Sequence, residues 1–358
     1  MKIAIFHNYM DNIGGAEKVG LLLAREIKAD IYTTVTNKEF IKKMGFNIPI
    51  KTIGWIPVNA PFRQQMAQIR FRNLNLKREY DYYFIEGDWS LSGAINNKPS
   101  IWYVHSPIRE IWDLYEYTRK NNVPYYARQI FDMWVKYNRR VNIAYSNHVS
   151  KIICNSENTK KRVKKYLNKD AEVVYPPVET NKYKYKKNGE YWLSVNRLIT
   201  HKRIEMQIKA FRELPKEKLI IVGSYEKSRH FREYADYINK IKPDNVEIVS
   251  WISSEQLNEL YSNCKGFITT ALNEDFGLTP VEAMASGKAV IAPEEGGYKE
   301  TIINGVTGIL IKAINAEKLI SAIKIVGKNP ERYRFECIKR AKNFDLNVFM
   351  KKIREIMH

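Results

Sequence analysis

The rhythm of this 358-residue chain constrains its fold more than any single residue does. Short apolar runs alternate with longer stretches of helical periodicity, the pattern of a parallel sheet covered by helices on both faces. Residues 2–6, 30–34, 82–86, 101–104 and 151–155, with 172–175 joining them, read as strands of a first unit. Residues 191–195, 218–222, 246–250, 266–270, 289–292 and 308–311 read as strands of a second. Between the sets lies Tyr175-Pro176-Pro177-Val178-Glu179, followed by a polar, lysine-rich stretch to Gly189. Two successive prolines forbid helix and disfavour a central strand, so the boundary is expected there. The expected division is residues 1–177, 178–340 and a C-terminal helix over 341–358. The expected class is α/β, with two Rossmann-like, doubly wound parallel sheets. Ligands bind such sheets at the carboxyl ends of the strands, so two facing sheets would form an interdomain cleft.

Length agrees with two cores, because single cores stop growing below this size. Three cysteines, Cys154, Cys264 and Cys337, lack metal-ligand spacing and an even count, which points to a reducing compartment. No run of eighteen apolar residues occurs, and Met1-Lys2 leads straight into an apolar strand. The expectation is a cytoplasmic protein that does not span a membrane.

The formal charge is +20. Residues 1–175 carry 28 Lys and Arg against 16 Asp and Glu, and the remainder 31 against 23, so the larger excess, +12 against +8, sits on the first unit. The stretch from Phe62 to Arg78 sets Phe62, Met66 and Ile69 at helical spacing among basic residues. Such stretches suit anionic lipid surfaces, with Lys160-Lys161-Arg162 and Lys164-Lys165 able to add to the attraction. The competing explanation is a chain rich in Lys, Ile, Asn and Tyr throughout, and both stay open. Trp134, Tyr137, Arg139 and Arg140 could stack on and neutralise a nucleic acid. No nucleic-acid motif accompanies them, so a basic nucleic-acid-binding protein is the alternative from another class, and no nucleic-acid partner is expected.

The segment Glu274-Asp275-Phe276-Gly277-Leu278-Thr279-Pro280-Val281-Glu282 carries the chemistry. Two glutamates flank a Phe-Gly turn that leads into a helix read as starting near Val281. A helix N-terminus offers unpaired N–H groups and partial positive charge, which favours a phosphate. Carboxylates on either side can accept from hydroxyls. A sugar nucleotide supplies both kinds of group.

This Glu pair resembles the E-x7-E signature of retaining glycosyltransferases of family 4. Ala285-Ser286-Gly287-Lys288-Ala289-Val290-Ile291-Ala292, then Gly296-Gly297-Tyr298-Lys299-Glu300, then Asn304-Gly305-Val306-Thr307-Gly308-Ile309-Leu310, extend the likeness. It implies a GT-B fold whose C-terminal helix crosses back to the first domain. It implies a hexose, mannose favoured, moved from a nucleotide-diphosphate donor such as GDP-mannose to a glycan or lipid-linked glycan. An epimerase or synthase of the same fold is the nearer alternative.

The same resemblance assigns roles. Gly14-Gly15-Ala16-Glu17 is similar to the family's Gly-Gly loop, placing Gly14 and Gly15 at the donor diphosphate or the acceptor. His105, which opens His105-Ser106-Pro107-Ile108-Arg109-Glu110-Ile111-Trp112-Asp113, would meet the donor sugar or the reacting centre. That segment is similar to mannosyltransferases of polysaccharide and O-antigen assembly. Ser194-Val195-Asn196-Arg197-Leu198-Ile199-Thr200-His201-Lys202-Arg203 matches the family's strand, Gly-Arg-Leu, loop and Lys. It departs at Asn196 and Arg203, where glycine is usual. Arg197 and Lys202 would hold the pyrophosphate, since cations placed beforehand favour a leaving group that gains charge. Phe276, Gly277, Leu278 and Thr279 would supply amides and a hydroxyl to the phosphates, Glu274 would hold a sugar hydroxyl and Glu282 the ribose. Leu219-Ile220-Ile221-Val222-Gly223-Ser224 reads as strand then glycine turn. No cofactor and no metal is implied, and no Asp-x-Asp motif occurs.

Overall fold

A computed structural model of the chain describes residues 1–11, 14–43, 45–77, 79–224, 229–250 and 252–357. Arg78, the end of the basic stretch, lies outside them. The chain divides into two compact units, Met1–Tyr175 and Pro176–His358.

The first unit is a seven-stranded sheet. Its strands are β1 (Ile3–Phe6), β2 (Asp30–Thr33), β3 (Ile50–Thr52), β4 (Tyr82–Ile85), β5 (Ser100–Val104), β6 (Lys151–Cys154) and β7 (Glu172–Val173). They lie in the order β3-β2-β1-β4-β5-β6-β7, and all pairings are parallel. β1, β4 and β5 run through the middle with nearly every residue buried, as expected for strands covered on both faces. Phe6 anchors one face, its ring 5.6 Å from Phe71 and 5.7 Å from Tyr83. The edge strand β3 escaped the sequence reading because it is three residues long, with Lys51 and Thr52 exposed.

The second unit holds six parallel strands, β8 (Tyr191–Arg197), β9 (Lys218–Ser224), β10 (Val246–Val249), β11 (Gly266–Ile268), β12 (Val290–Pro293) and β13 (Gly308–Ile311). Their order, β10-β9-β8-β11-β12-β13, is that of a dinucleotide-binding sheet. Trp192, Leu193, Ile221, Phe267 and Ile291 fill its core. The glycine turn expected at Gly223 is strand instead. Gly223 pairs with Asn196 in the β8–β9 ladder, and its missing side chain leaves the space that Leu198 occupies.

The C-terminal segment belongs by its contacts to this second unit. The Val178 N–H donates to the Phe344 carbonyl at 2.9 Å, and the Leu346 N–H returns to the Val178 carbonyl at 3.1 Å. The last helix, Leu346–Met357, buries Phe349, Met350 and Ile353. Among the described residues no helix is long and apolar enough to cross a membrane. All three cysteines are buried thiols outside any disulfide, and burial pushes Cys264 up to about 12.

Candidate active site

In the second unit β8, β11 and β12 lie side by side, so the loops leaving their carboxyl ends meet at the point where the winding of the sheet reverses. The β8 loop ends in a short turn, Thr200–Lys202, whose Lys202 ammonium donates to Glu274 of the β11 loop at 2.6 Å. Both side chains are largely buried, at 13% and 19% exposed. Arg203 fastens the same loops. Its guanidinium donates to the Thr270 and Ala271 carbonyls and to Glu295 of the β12 loop, and the other Glu295 contact is the Asn273 N–H at 3.0 Å. Thr270 Oγ1 donates to the Lys202 carbonyl at 2.7 Å, and the Leu272 N–H to the His201 carbonyl at 2.8 Å.

Glycines set how closely these loops approach. Gly297 donates its N–H to the Glu274 carbonyl at 2.8 Å. A Cβ on Gly296 would strike that same carbonyl, and one on Gly297 would strike the Asp275–Phe276 backbone. The Gly-Gly segment is therefore the mould against which the acidic loop is cast. Gly277, at φ 96°, then opens the helix Leu278–Ala285, which starts three residues before the sequence suggested because Leu278 and Thr279 already take helical backbone. Its N-cap is Gly277, which brings no side chain of its own to the first turn. Its first amides and its dipole are thus directed at whatever occupies the loop ahead of them.

The remaining second-unit candidates sit around that core. Arg197 is exposed at the last position of β8, and Asn196 lies within the strand, its amide donating to Ser194 Oγ at 2.7 Å. Phe276 is buried with its ring 5.3 Å from Phe344. Thr279 is half-buried in the first helical turn. Glu282 is nearly fully buried and accepts from the Tyr261 hydroxyl at 2.9 Å. Burial beside Glu282 pushes the Tyr261 hydroxyl well up, so it stays a donor.

The first unit gathers its candidates on the carboxyl edge of β1, β4 and β5, which are adjacent. Gly14 caps the helix Gly15–Ile27, and its N–H donates to Glu17 at 2.8 Å. His105 follows β5, its ring centroid 4.9 Å from that of Tyr103. Asn155 Nδ2 and Thr159 Oγ1 donate to the His105 carbonyl at 2.7 and 3.3 Å. Beyond it Asp113 takes a two-pronged contact from Arg109 and a second cation, Arg162, at 3.3 Å, while Arg162 also donates to Ser106 Oγ at 3.0 Å. These contacts pin the segment that begins at His105.

Residues 177–344 match the family model described as glycosyl transferases group 1, and residues 13–182 the one described as Glycosyltransferase Family 4. The chain belongs to glycosyltransferase family 4. It is 26% identical over 429 residues to the alpha-1,3/1,6-mannosyltransferase ALG2 of Candida glabrata, covering 95% of this chain and 88% of that one. Over 177 residues it is 31% identical to a GDP-Man:Man(3)GlcNAc(2)-PP-Dol alpha-1,2-mannosyltransferase of Dictyostelium discoideum, covering 42% of this chain and 34% of the other. Among solved structures, Anabaena Alr3699/HepE in complex with UDP and glucose superposes with a TM-score of 0.81 at 19% identity, covering 100% of this chain and 99% of that one. At that identity the likeness is one of fold, and the fold is the GT-B fold expected from the sequence.

Four features of this glycosyltransferase lay beyond the sequence reading. Glu295 bridges Arg203 and the Asn273 amide, and only its place just ahead of Gly296-Gly297 hinted at it. Tyr261, which holds Glu282, comes from a helix with no motif. Arg162 was read as part of a basic surface cluster, but it is 5% exposed and faces Asp113; the ion pair draws it inward. His7 and Glu86, at the ends of β1 and β4, are both buried, with no hydrogen-bond partner for their side-chain polar atoms among the described residues. Burial pushes Glu86 up to about 8, aided by the nearby Glu17 charge, and burial lowers His7.

Proposed function

We propose that this family 4 glycosyltransferase moves mannose, with retention, from GDP-mannose to a lipid-linked glycan. The observation that carries the reading is the Lys202–Glu274 pair at 2.6 Å, standing ahead of the helix start at Gly277. An ammonium has three donors, so Lys202 can hold Glu274 and still receive a phosphate oxygen. The donor's pyrophosphate lies against the amides of Leu278 and Thr279, with Lys202 and Arg197 supplying positive charge. Glu274 accepts from a hydroxyl of the hexose. Glu282, steadied by Tyr261, holds the ribose. Mannose and GDP are supported by the names of the two mannosyltransferases above, one of which specifies a GDP-Man donor and a PP-Dol-linked acceptor.

In the reaction the bond from the anomeric carbon to the phosphate oxygen breaks, and the acceptor oxygen bonds to that carbon on the same face. The acceptor proton passes to the departing phosphate. Charge accumulates on the diphosphate as the bond lengthens, and cations and amides already in place stabilise it without reorganising. His105, in the first unit, is assigned to the sugar near the reacting carbon, and Gly14 and Gly15 to the diphosphate or the acceptor. No metal is needed on this account. The buried thiols fit a reducing cytoplasm, and a lipid-linked acceptor sets the work at a membrane surface.

A thermal-shift panel tests the donor. GDP-mannose at about 100 times its Kd should stabilise the fold by about 2.7 kcal/mol, and UDP-glucose and ADP-glucose should not. Lys202→Ala should abolish the shift. NMR of the product should show an α-mannoside made without loss of rate in EDTA; a β-product or full loss in EDTA would overturn retention or metal independence respectively.

A further inference from the structure

The turn that opens the helix Leu278–Ala285 is held from beneath by two aromatic rings that come from later in the chain. Tyr298, 2% exposed, lies under Gly277, where an added Cβ would stand 2.8 Å from its Cε1. Its hydroxyl shares a hydrogen bond of 2.7 Å with Thr269 Oγ1, one residue past β11. Phe344, 3% exposed, meets the buried Phe276 edge-on, with the ring planes 72° apart. In a close-packed interior Phe276 has no room to shift unless Phe344 shifts with it.

Arg340 governs both supports. It belongs to the helix Arg334–Ala341, and its guanidinium donates to the carbonyls of Glu300 and, at 3.1 Å, Thr301. Those carbonyls end the short helix Tyr298–Thr301, whose last C=O groups find no partner within it. The same guanidinium lies over the Phe344 ring, 5.1 Å from its centroid. One side chain therefore fixes both the segment that carries Tyr298 and the ring that backs Phe276.

Phe344 faces two ways. Its ring packs against Phe276, while its carbonyl takes the Val178 N–H. The next residue, Asp345, accepts from the Thr180 hydroxyl at 2.5 Å and the Thr180 N–H at 3.3 Å. Val178, 1% exposed, follows Pro176-Pro177, where the chain enters the second unit. Ring and carbonyl of Phe344 sit at the end of one tight turn, Lys342–Phe344, so neither moves without the other.

We propose that Phe344, backed by Arg340, is a positioning residue for the nucleotide-sugar donor and couples occupancy of the turn Asp275–Leu278 to the linker at Val178. The role rests on the donor site of the proposed function; the coupling needs only that a nucleotide diphosphate sit at that turn.

Amide hydrogen exchange of the full chain is followed with and without GDP-mannose and, separately, UDP-glucose, alongside donor titrations and steady-state transfer. In the wild type the donor that binds should slow exchange of the Val178 and Leu346 amides by at least about fivefold. Phe344→Leu keeps an apolar side chain and removes the ring. It should erase that slowing, raise the donor Kd at least about tenfold and lower kcat about tenfold, with the acceptor KM unchanged. Arg340→Gln opens no core cavity, so it tests the same link should Phe344→Leu not fold, and it should act in the same direction by at least about threefold. Phe211→Leu is the same change at a buried site near the C-terminal end of the helix Ile204–Arg212. It should lower the melting temperature without moving the donor Kd or the protection at Val178. Wild-type donor Kd in Phe344→Leu and Arg340→Gln, or losses as large in Phe211→Leu, overturn the proposal. If UDP-glucose gives the protection and GDP-mannose does not, the donor assignment fails and the coupling stands. If GDP-mannose binds and turns over while both amides exchange as before, the coupling fails and the donor assignment stands. If neither binds, both fall.

Discussion

The two units share a strand order through their first six strands but treat charge in opposite ways. In the second, the charged groups that join the loops of β8, β11 and β12 are paired: Lys202 with Glu274, Arg203 with Glu295 and two carbonyls. In the first, the equivalent edge buries His7 and Glu86 with no hydrogen-bond partner for their side-chain polar atoms among the described residues, while aromatic and aliphatic groups such as Phe62 and Ile130 are left in water on two helices. A wired set of loops is a rigid mould, suited to a ligand of fixed shape such as a nucleotide diphosphate. Buried groups lacking partners instead cost stability. The first unit therefore departs furthest from what stability alone would choose.

The largest effect should come from breaking the wired side. Lys202→Met removes a cation aimed at developing charge and should lower kcat by about 10²–10³-fold, measured by steady-state transfer, with the fold intact by circular dichroism. If activity is unchanged, the pyrophosphate is held elsewhere. Next is the mould: Gly297→Ala must displace the Asp275–Phe276 backbone, and overpacking of this kind costs about 1–3 kcal/mol. Denaturant melts should register that loss together with a weaker donor-induced shift.

The third prediction sharpens the contrast on the first unit. Glu86 has an ordinary value of 4.5 and stands near 8 in the folded chain. Between those values the folded state holds a proton that the unfolded chain has released, so stability declines as pH rises through the window and stays reduced above it. Glu86→Gln should melt several degrees higher than wild type at pH 9 and together with it near pH 4. His7, lowered from 6.5, acts in the other direction, since the unfolded chain takes up the proton first as pH falls below that value. Equal melting of Glu86→Gln and wild type at both ends would mean that a partner holds this carboxylate. The smallest effect is the control. Lys164 and Asp170 pair at 2.9 Å with both side chains in water, and Lys164→Ala should change stability by less than about 0.5 kcal/mol.

The second unit was legible in the sequence because its chemistry is contiguous. Gly277 and Gly296-Gly297 occupy positions where backbone geometry or contact admits little else, and Glu274 and Lys202 stand within a few residues of strands whose apolar runs announce them. Glu295 and Tyr261 could not be read, because their importance is a contact made only in three dimensions. The first unit hid more. The strands β1 and β4 were plain, but the burial of His7 and Glu86 depends on what surrounds them. Gly20 was a silent clue: a Cβ there would strike the Glu86 carboxylate, so the helix Gly15–Ile27 was shaped around that group. The helix Arg128–Ser146 misled in a different manner. Its tryptophan, tyrosine and arginines invite a reading in terms of bases and phosphates, and only the exposure of Ile130 and Met133 reveals which side faces out.

Arg203 replaces a glycine of the motif yet keeps the left-handed backbone a glycine would have, at φ 53°. Glycine there would relax the main chain and surrender the fork that ties β11 to β12; lysine would keep the strain and lose the flat, multi-pronged grip. Neither single change improves on what is present. Replacing Arg203 alone would strand Glu295 without its guanidinium, so the two side chains stand or fall as a pair.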